Sequence, residues 1–188
     1  MVRSVTLVLN GVFFVAITHA ELQLTPKVSE YKGDGATFTH FEFSDDGKTV
    51  TYQSPPGWEY SGSATQLTLR PPGKSQAVAT ITRVPLSQPG SFDEESLKRL
   101  VNEAVALVLK GSENISIVSQ EKNSLMIQRK ETFLIKLSYT FHGQKYARSI
   151  LFLNRGNEQI RSQLTCRDED FKELQRVFLR SHETWQNL

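Results

Sequence analysis

Alternating apolar and polar residues dominate the chain over residues 37–53 and again over 133–166, and between them lies a stretch of helical spacing. Residues 37–43 and 48–53, joined by the turn-forming Ser44-Asp45-Asp46-Gly47, predict a β-hairpin. Residues 58–61, 66–69 and 77–84 predict further short strands, separated by Pro55-Pro56-Gly57 before the first, by Gly62, and by Pro71-Pro72-Gly73. The polar segment 21–36, with Gly33 and Gly35, lacks a clean period and predicts an irregular or edge-strand lead-in. Over 91–110 the period changes to that of a helix: Leu97, Leu100, Val101, Ala104, Val105 and Val108 form one stripe. Ser91 and Glu94 predict a capping box at its start, Asp93 to Glu95 suit the positive end of the dipole, and Gly111 predicts its C-cap.

Beyond that helix, 115–119 and 124–128 read as short strands, and Phe133, Ile135, Leu137, Tyr139 and Phe141 alternate with Leu134, Lys136, Ser138 and Thr140, which predicts a strand with one core face. His142-Gly143-Gln144 and Asn154-Arg155-Gly156-Asn157 turn the chain twice more, giving an antiparallel meander through 145–153 and 158–166. Asp168 is expected to cap a last helix whose Phe171, Leu174, Val177, Phe178 and Trp185 share one side. Strands, helix, strands, helix with short connections is the order of an α+β domain with an antiparallel sheet.

One segment does not belong to that domain. Arg3 is followed by an almost unbroken apolar run over 5–17 and by Thr18-His19-Ala20, so residues 1–20 read as a signal peptide cut between Ala20 and Glu21. The run is shorter than the roughly 20 residues of a spanning helix, and Glu21 stands where a lipoprotein would carry cysteine. A secreted or periplasmic protein without a stable membrane anchor is expected. Removing 20 of 188 residues leaves 168, enough for a single domain over 21–188 with a core of its own. Loss of Arg3 brings the 22 basic residues to 21 against 20 acidic ones, a balance that argues against nucleic acid as a partner.

Candidate chemistry is sparse. Cys166 is the single cysteine, so no internal disulfide can form, and its strand phase with Ile160 and Leu164 predicts a buried free thiol. His40, His142 and His182 carry no nucleophile motif around them, and no metal-ligand spacing appears, so neither a catalytic residue nor a metal site is assigned and no cofactor is expected. Asp45-Asp46-Gly47 lacks the remaining ligands of a calcium loop and reads as a hairpin turn; Gly33-Asp34-Gly35 lacks the context of a phosphate cradle. Asn114-Ile115-Ser116 is a glycosylation sequon if the host exports through a eukaryotic route. Trp58 and Tyr60 beside the Pro-Gly turn could form a binding platform, but aromatics on a sheet are read first as core. At about 100° per residue, Leu107 lies some 80° to one side of Leu97 and Leu109 about 120° to the other. Both flank the helix stripe as a possible partner patch, with coverage by the loop 85–90 as the favoured expectation.

The segment Tyr52-Gln-Ser-Pro-Pro-Gly-Trp58 and the ending Leu164-Thr-Cys-Arg-Asp-Glu-Asp-Phe171, with Val177-Phe178 and Ser181 beyond it, resemble the PsbP-like superfamily. That resemblance implies a central antiparallel sheet flanked by helices on both sides. It implies little about activity, because the superfamily spans a subunit of the photosynthetic oxygen-evolving complex, a Ran-binding import factor and bacterial envelope lipoproteins. Export is incompatible with nuclear Ran, and neither a transit peptide nor a lipobox is present, so none of those functions transfers. The expectation is an exported, non-enzymatic binding or assembly module with a protein partner in the envelope or extracellular space. The alternative is an envelope hydrolase or thiol-redox protein whose site is assembled from distant residues.

Overall fold

The computed structural model describes residues 21–33 and 35–188; the predicted signal segment 1–20, including Ala20, lies outside the described residues. The lead-in is a long strand, β1 (Gln23–Gly33), paired antiparallel with β2 (Ala36–Asp45), which pairs in turn with β3 (Lys48–Gln53). Asp46 and Gly47 join β2 to β3 at φ 49° and 72°, the left-handed pair that a two-residue hairpin of this twist requires. These three strands form a sheet of their own.

The other strands build a seven-stranded antiparallel sheet. In chain order they are β4 (Glu59–Gly62), β5 (Gln66–Arg70), β6 (Val78–Pro85), β7 (Glu113–Lys122), β8 (Thr132–Phe141), β9 (Gln144–Arg155) and β10 (Glu158–Arg167). Their order across the sheet is β4-β5-β6-β10-β9-β8-β7. The predicted meander is β8-β9-β10, with Leu134 opposite Leu151 and Ile135 opposite Ile150. Helix α1 (Glu94–Ala106) intervenes between β6 and β7, and α2 (Asp168–Ser181) follows β10 and runs into a 3-10 turn, His182–Thr184. The fold is α+β, with the two helices on opposite faces of the seven-stranded sheet.

Two cores result. On one face Leu100, Ala104 and Val108 pack on Phe133, Ile135, Leu137, Ile150 and Phe152. On the other, Leu134, Leu151, Leu164 and Cys166 meet Phe41, Phe43 and Tyr52 of the small sheet and Leu174 and Phe178 of α2. The alternation of β8 predicted one core face; both are buried, because this central strand lies beneath a cover on each side. Arg155 fastens the small sheet at its turn by ion-pairing with Asp45, and shares Glu158 with the buried Arg83, which also holds Glu21.

Four expectations need correction. The N-cap of α1 is Asp93, whose carboxylate accepts from the Ser96 amide at 2.8 Å; Ser91 instead donates to Asp93 at 2.5 Å, so the Ser91–Glu94 box does not form. The helix also stops at Ala106 rather than running to a cap at Gly111, because the buried Arg148 guanidinium bonds the Leu107 carbonyl that a further turn would have used. Residues 124–128 are not a strand: Asn123, Gln128 and Arg129 all have positive φ, and the segment loops back with a single bridge from Ile127 to Lys130. At α2 the cap position is Arg167 without a side-chain bond, and Asp168 is the first helical residue.

The joint between small sheet and α2 is polar at its centre. Ser181 donates its one hydroxyl proton to the Phe178 carbonyl at 2.6 Å, which leaves Tyr52 to donate to Ser181 at 2.6 Å. Burial pushes the Tyr52 phenol well above its usual range, so it stays a donor. Around this bond Tyr52 stacks on Trp185 at 4.6 Å, and Trp58 stacks on Phe178 at 6.1 Å. Thr184 donates to the Ser181 carbonyl and accepts from the Gln53 amide, and residues 51 and 186 exchange backbone bonds. Tyr52→Phe is expected to cost about 1–2 kcal/mol in urea denaturation, since the Ser181 oxygen loses its only donor inside the core.

Candidate functional site

Leu107 and Leu109 are 46% and 47% exposed, so the loop over 85–90 does not cover them, contrary to the favoured expectation. That loop instead follows the β9–β10 turn: the Leu86 amide bonds the Asn157 carbonyl and the Gly90 amide the Gly156 carbonyl. Gly90 is held there by space as well, because a Cβ at that position would meet Asn154 at 2.5 Å. Val108, between the two leucines, is buried, so the chain leaves α1 with one side chain in the core and two in solvent.

Ile115, Ile117 and Val118 of β7 are exposed as well. Ile117 lies opposite Leu137, which lies opposite Arg148, the residue whose guanidinium holds the Leu107 carbonyl. Ile117 therefore shares the α1 face of the sheet with the end of the helix. β7 is the outermost strand, and its register against β8 shifts twice, between residues 113 and 116 and between 117 and 119. Asn114, the sequon asparagine, is exposed at φ 53° in the first irregularity. Val118 is the extra residue of the second and stands 63% exposed. The sequence reading found Leu107 and Leu109 but not these three. Alternation located β7 as a strand without showing that it is the last one, and an outer strand with an irregular ladder hides its side chains on neither face.

The other candidates are dispersed. Cys166 is fully buried, and desolvation pushes its thiol up to about 12, which leaves it a poor nucleophile at neutral pH. His40 lies in β2, and His142 sits in the β8–β9 turn at φ 48° with its ring edge-on to Phe141. His182, at the end of α2, is 1% exposed; its Nδ1 lies 2.7 Å from the Phe178 carbonyl and Nε2 meets no partner. The structure thus brings no two of the three histidines into one site. Trp58 is core, while Tyr60 is partly exposed and meets Phe41 edge-on. Among the described residues no group of acidic, histidine and cysteine side chains is placed to hold a metal ion, and no helix is long and apolar enough to cross a membrane.

The His182 environment carries a pH dependence. Burial lowers its pKa from 6.5 to about 4, outweighing the hydrogen bond to Phe178. The unfolded chain therefore binds more protons than the folded one between those values, so stability is complete above about pH 6.5 and falls as pH drops toward 4. The loss amounts to roughly 3 kcal/mol. His182→Asn should remove that share of the slope in urea denaturation series; a variant as steep as the wild type would show that other groups produce it.

No known protein family matches the chain, and no curated protein is similar to it in sequence. Solved structures do match in fold. Protein PA94 of Pseudomonas aeruginosa, of unknown function, is 14% identical with a TM-score of 0.50, over 84% of this chain and 94% of that one. The cyanobacterial PsbP of Synechocystis is 10% identical with a TM-score of 0.50, over 94% and 98%. LpqN of Mycobacterium tuberculosis, involved in cell envelope biogenesis, is 13% identical with a TM-score of 0.51, over 88% and 90%. The chain has the PsbP-like fold that its Tyr52–Trp58 and Leu164–Phe171 segments resemble.

Proposed function

We propose that the protein is an exported binding or assembly module that holds a protein partner of the cell envelope or extracellular space through the apolar side chains between Leu107 and Val118. The observation that carries this reading is the exposure of Leu107, Leu109, Ile115, Ile117 and Val118 within one short run of chain, at the outer strand of the sheet. Apolar side chains left in water contribute nothing to folding, and a concentration of them is the usual mark of an interaction site. The partner then supplies an apolar surface of its own, with the bonds at the irregular edge made by side chains more than by a continuous backbone ladder.

Export supports the same reading from the other end of the chain. The leader over 1–20 predicts it, and LpqN, with the same fold, is involved in envelope biogenesis. Protein recovered from its native host should begin within about two residues of Glu21 by intact mass, and a mass that retains Arg3 would refute export.

The surface is tested by Leu109→Lys and Ile117→Lys. Both side chains are exposed, so each variant should denature within about 0.5 kcal/mol of the wild type while losing the partners recovered with it from native envelopes. Unchanged recovery from both variants would reject this surface.

A further inference from the structure

Between the end of β3 and α2 lies a cleft of about 430 Å³, lined by Phe38, Pro55, Pro56 and Val177 on its apolar side and by Arg176 and Arg180 on the other. Its volume is that of a small-molecule site. No carboxylate lines it. With Arg176 and Arg180 in its lining and no acidic residue, this cleft has an uncompensated positive wall, whereas four other clefts among the described residues each carry at least one aspartate or glutamate.

The two arginines stand one turn apart on α2, a spacing that lets both guanidinium groups reach one acidic head. Both are exposed, and neither forms an ion pair among the described residues. Apart from the Gln53 side-chain amide, the remaining polar groups of the cleft are already used within the protein. Ser181 is bonded to Tyr52 and Phe178, Thr184 to the Gln53 amide and the Ser181 carbonyl, and Ser54 to the Pro55 carbonyl. What the cleft offers a ligand is therefore two cations and the Gln53 amide beside an apolar wall. That wall is set in advance, because the Tyr52–Ser181 bond and the Trp58–Phe178 stack fix the Pro55-Pro56 turn against α2.

From this geometry we infer that the cleft binds a small amphipathic organic anion, its carboxylate, sulfonate or phosphate head on Arg176 and Arg180 and its apolar body against Phe38, Pro55 and Val177. The site is separate from the Leu107–Val118 surface and does not rest on it.

The probe is anilinonaphthalene sulfonate, which has both an acidic head and an apolar body and fluoresces when the latter leaves water. Its fluorescence should rise saturably with the folded protein. Decanoate should displace it, while decanol and inorganic phosphate, each carrying half of the chemistry, should not. Arg176→Gln with Arg180→Gln should weaken binding about tenfold or more without changing the circular dichroism spectrum. Probe affinity unchanged within about twofold in that double variant would overturn the assignment. So would binding that survives in it but is lost in Leu109→Lys with Ile117→Lys, which would put the probe on the other surface.

Discussion

A strand that is apolar on both faces has to be covered twice, and β8 and β9 impose this on the whole chain. Phe133, Ile135, Ile150 and Phe152 look one way, and Leu134, Leu151 and Leu153 the other. Helix α1 supplies one cover. The second is assembled from opposite ends of the sequence, the small sheet β1–β3 and helix α2, neither of which is large enough to close the face alone. These two parts must therefore adhere to each other as well as to the sheet. Tyr52, Trp58, Phe178, Ser181 and Trp185 are the residues that make them adhere, through one buried hydrogen bond and a series of aromatic contacts. The sequence segments that resemble the PsbP-like superfamily are thus the two sides of a structural joint.

The hairpin, the meander, both helices and their order were legible in the sequence, because local periodicity and turn chemistry determine them. What was not legible depends on contacts across long separations. Nothing near Leu107 announces that Arg148 will take its carbonyl and end the helix there. The division into two sheets turns on which strand edges meet, and periodicity carries no information on that. The same gap affected the candidate site. Leu107 and Leu109 could be singled out by their angle around a helix, although they lie just past its end. Ile115, Ile117 and Val118 could be recognised as exposed only once β7 was known to be outermost.

The α1 face shows what the fold itself demands of its surface. The helix covers β8 and β9 and reaches β10 through the Glu103–Arg161 ion pair, which leaves β5 and β6 open on this face, where Thr68, Thr80 and Thr82 stand beside the half-buried Val78 and Val84. Polar residues at the outer strand would have satisfied the sheet equally well. The apolar character of the 107–118 segment is thus a choice that folding did not require, in contrast to the buried leucines of β9, which the sheet could not do without.

The two register shifts in β7 bear on how such a protein survives at high concentration. A long, flat, apolar outer strand is a template on which further copies stack into fibrils, each new strand completing the bonds of the last. With Asn114 in a left-handed conformation and Val118 pushed out of line, the free donors and acceptors of β7 are not evenly spaced along it. An incoming copy would find no continuous row to bond. The greasy side chains can then stay in water without seeding the growth of an aggregate.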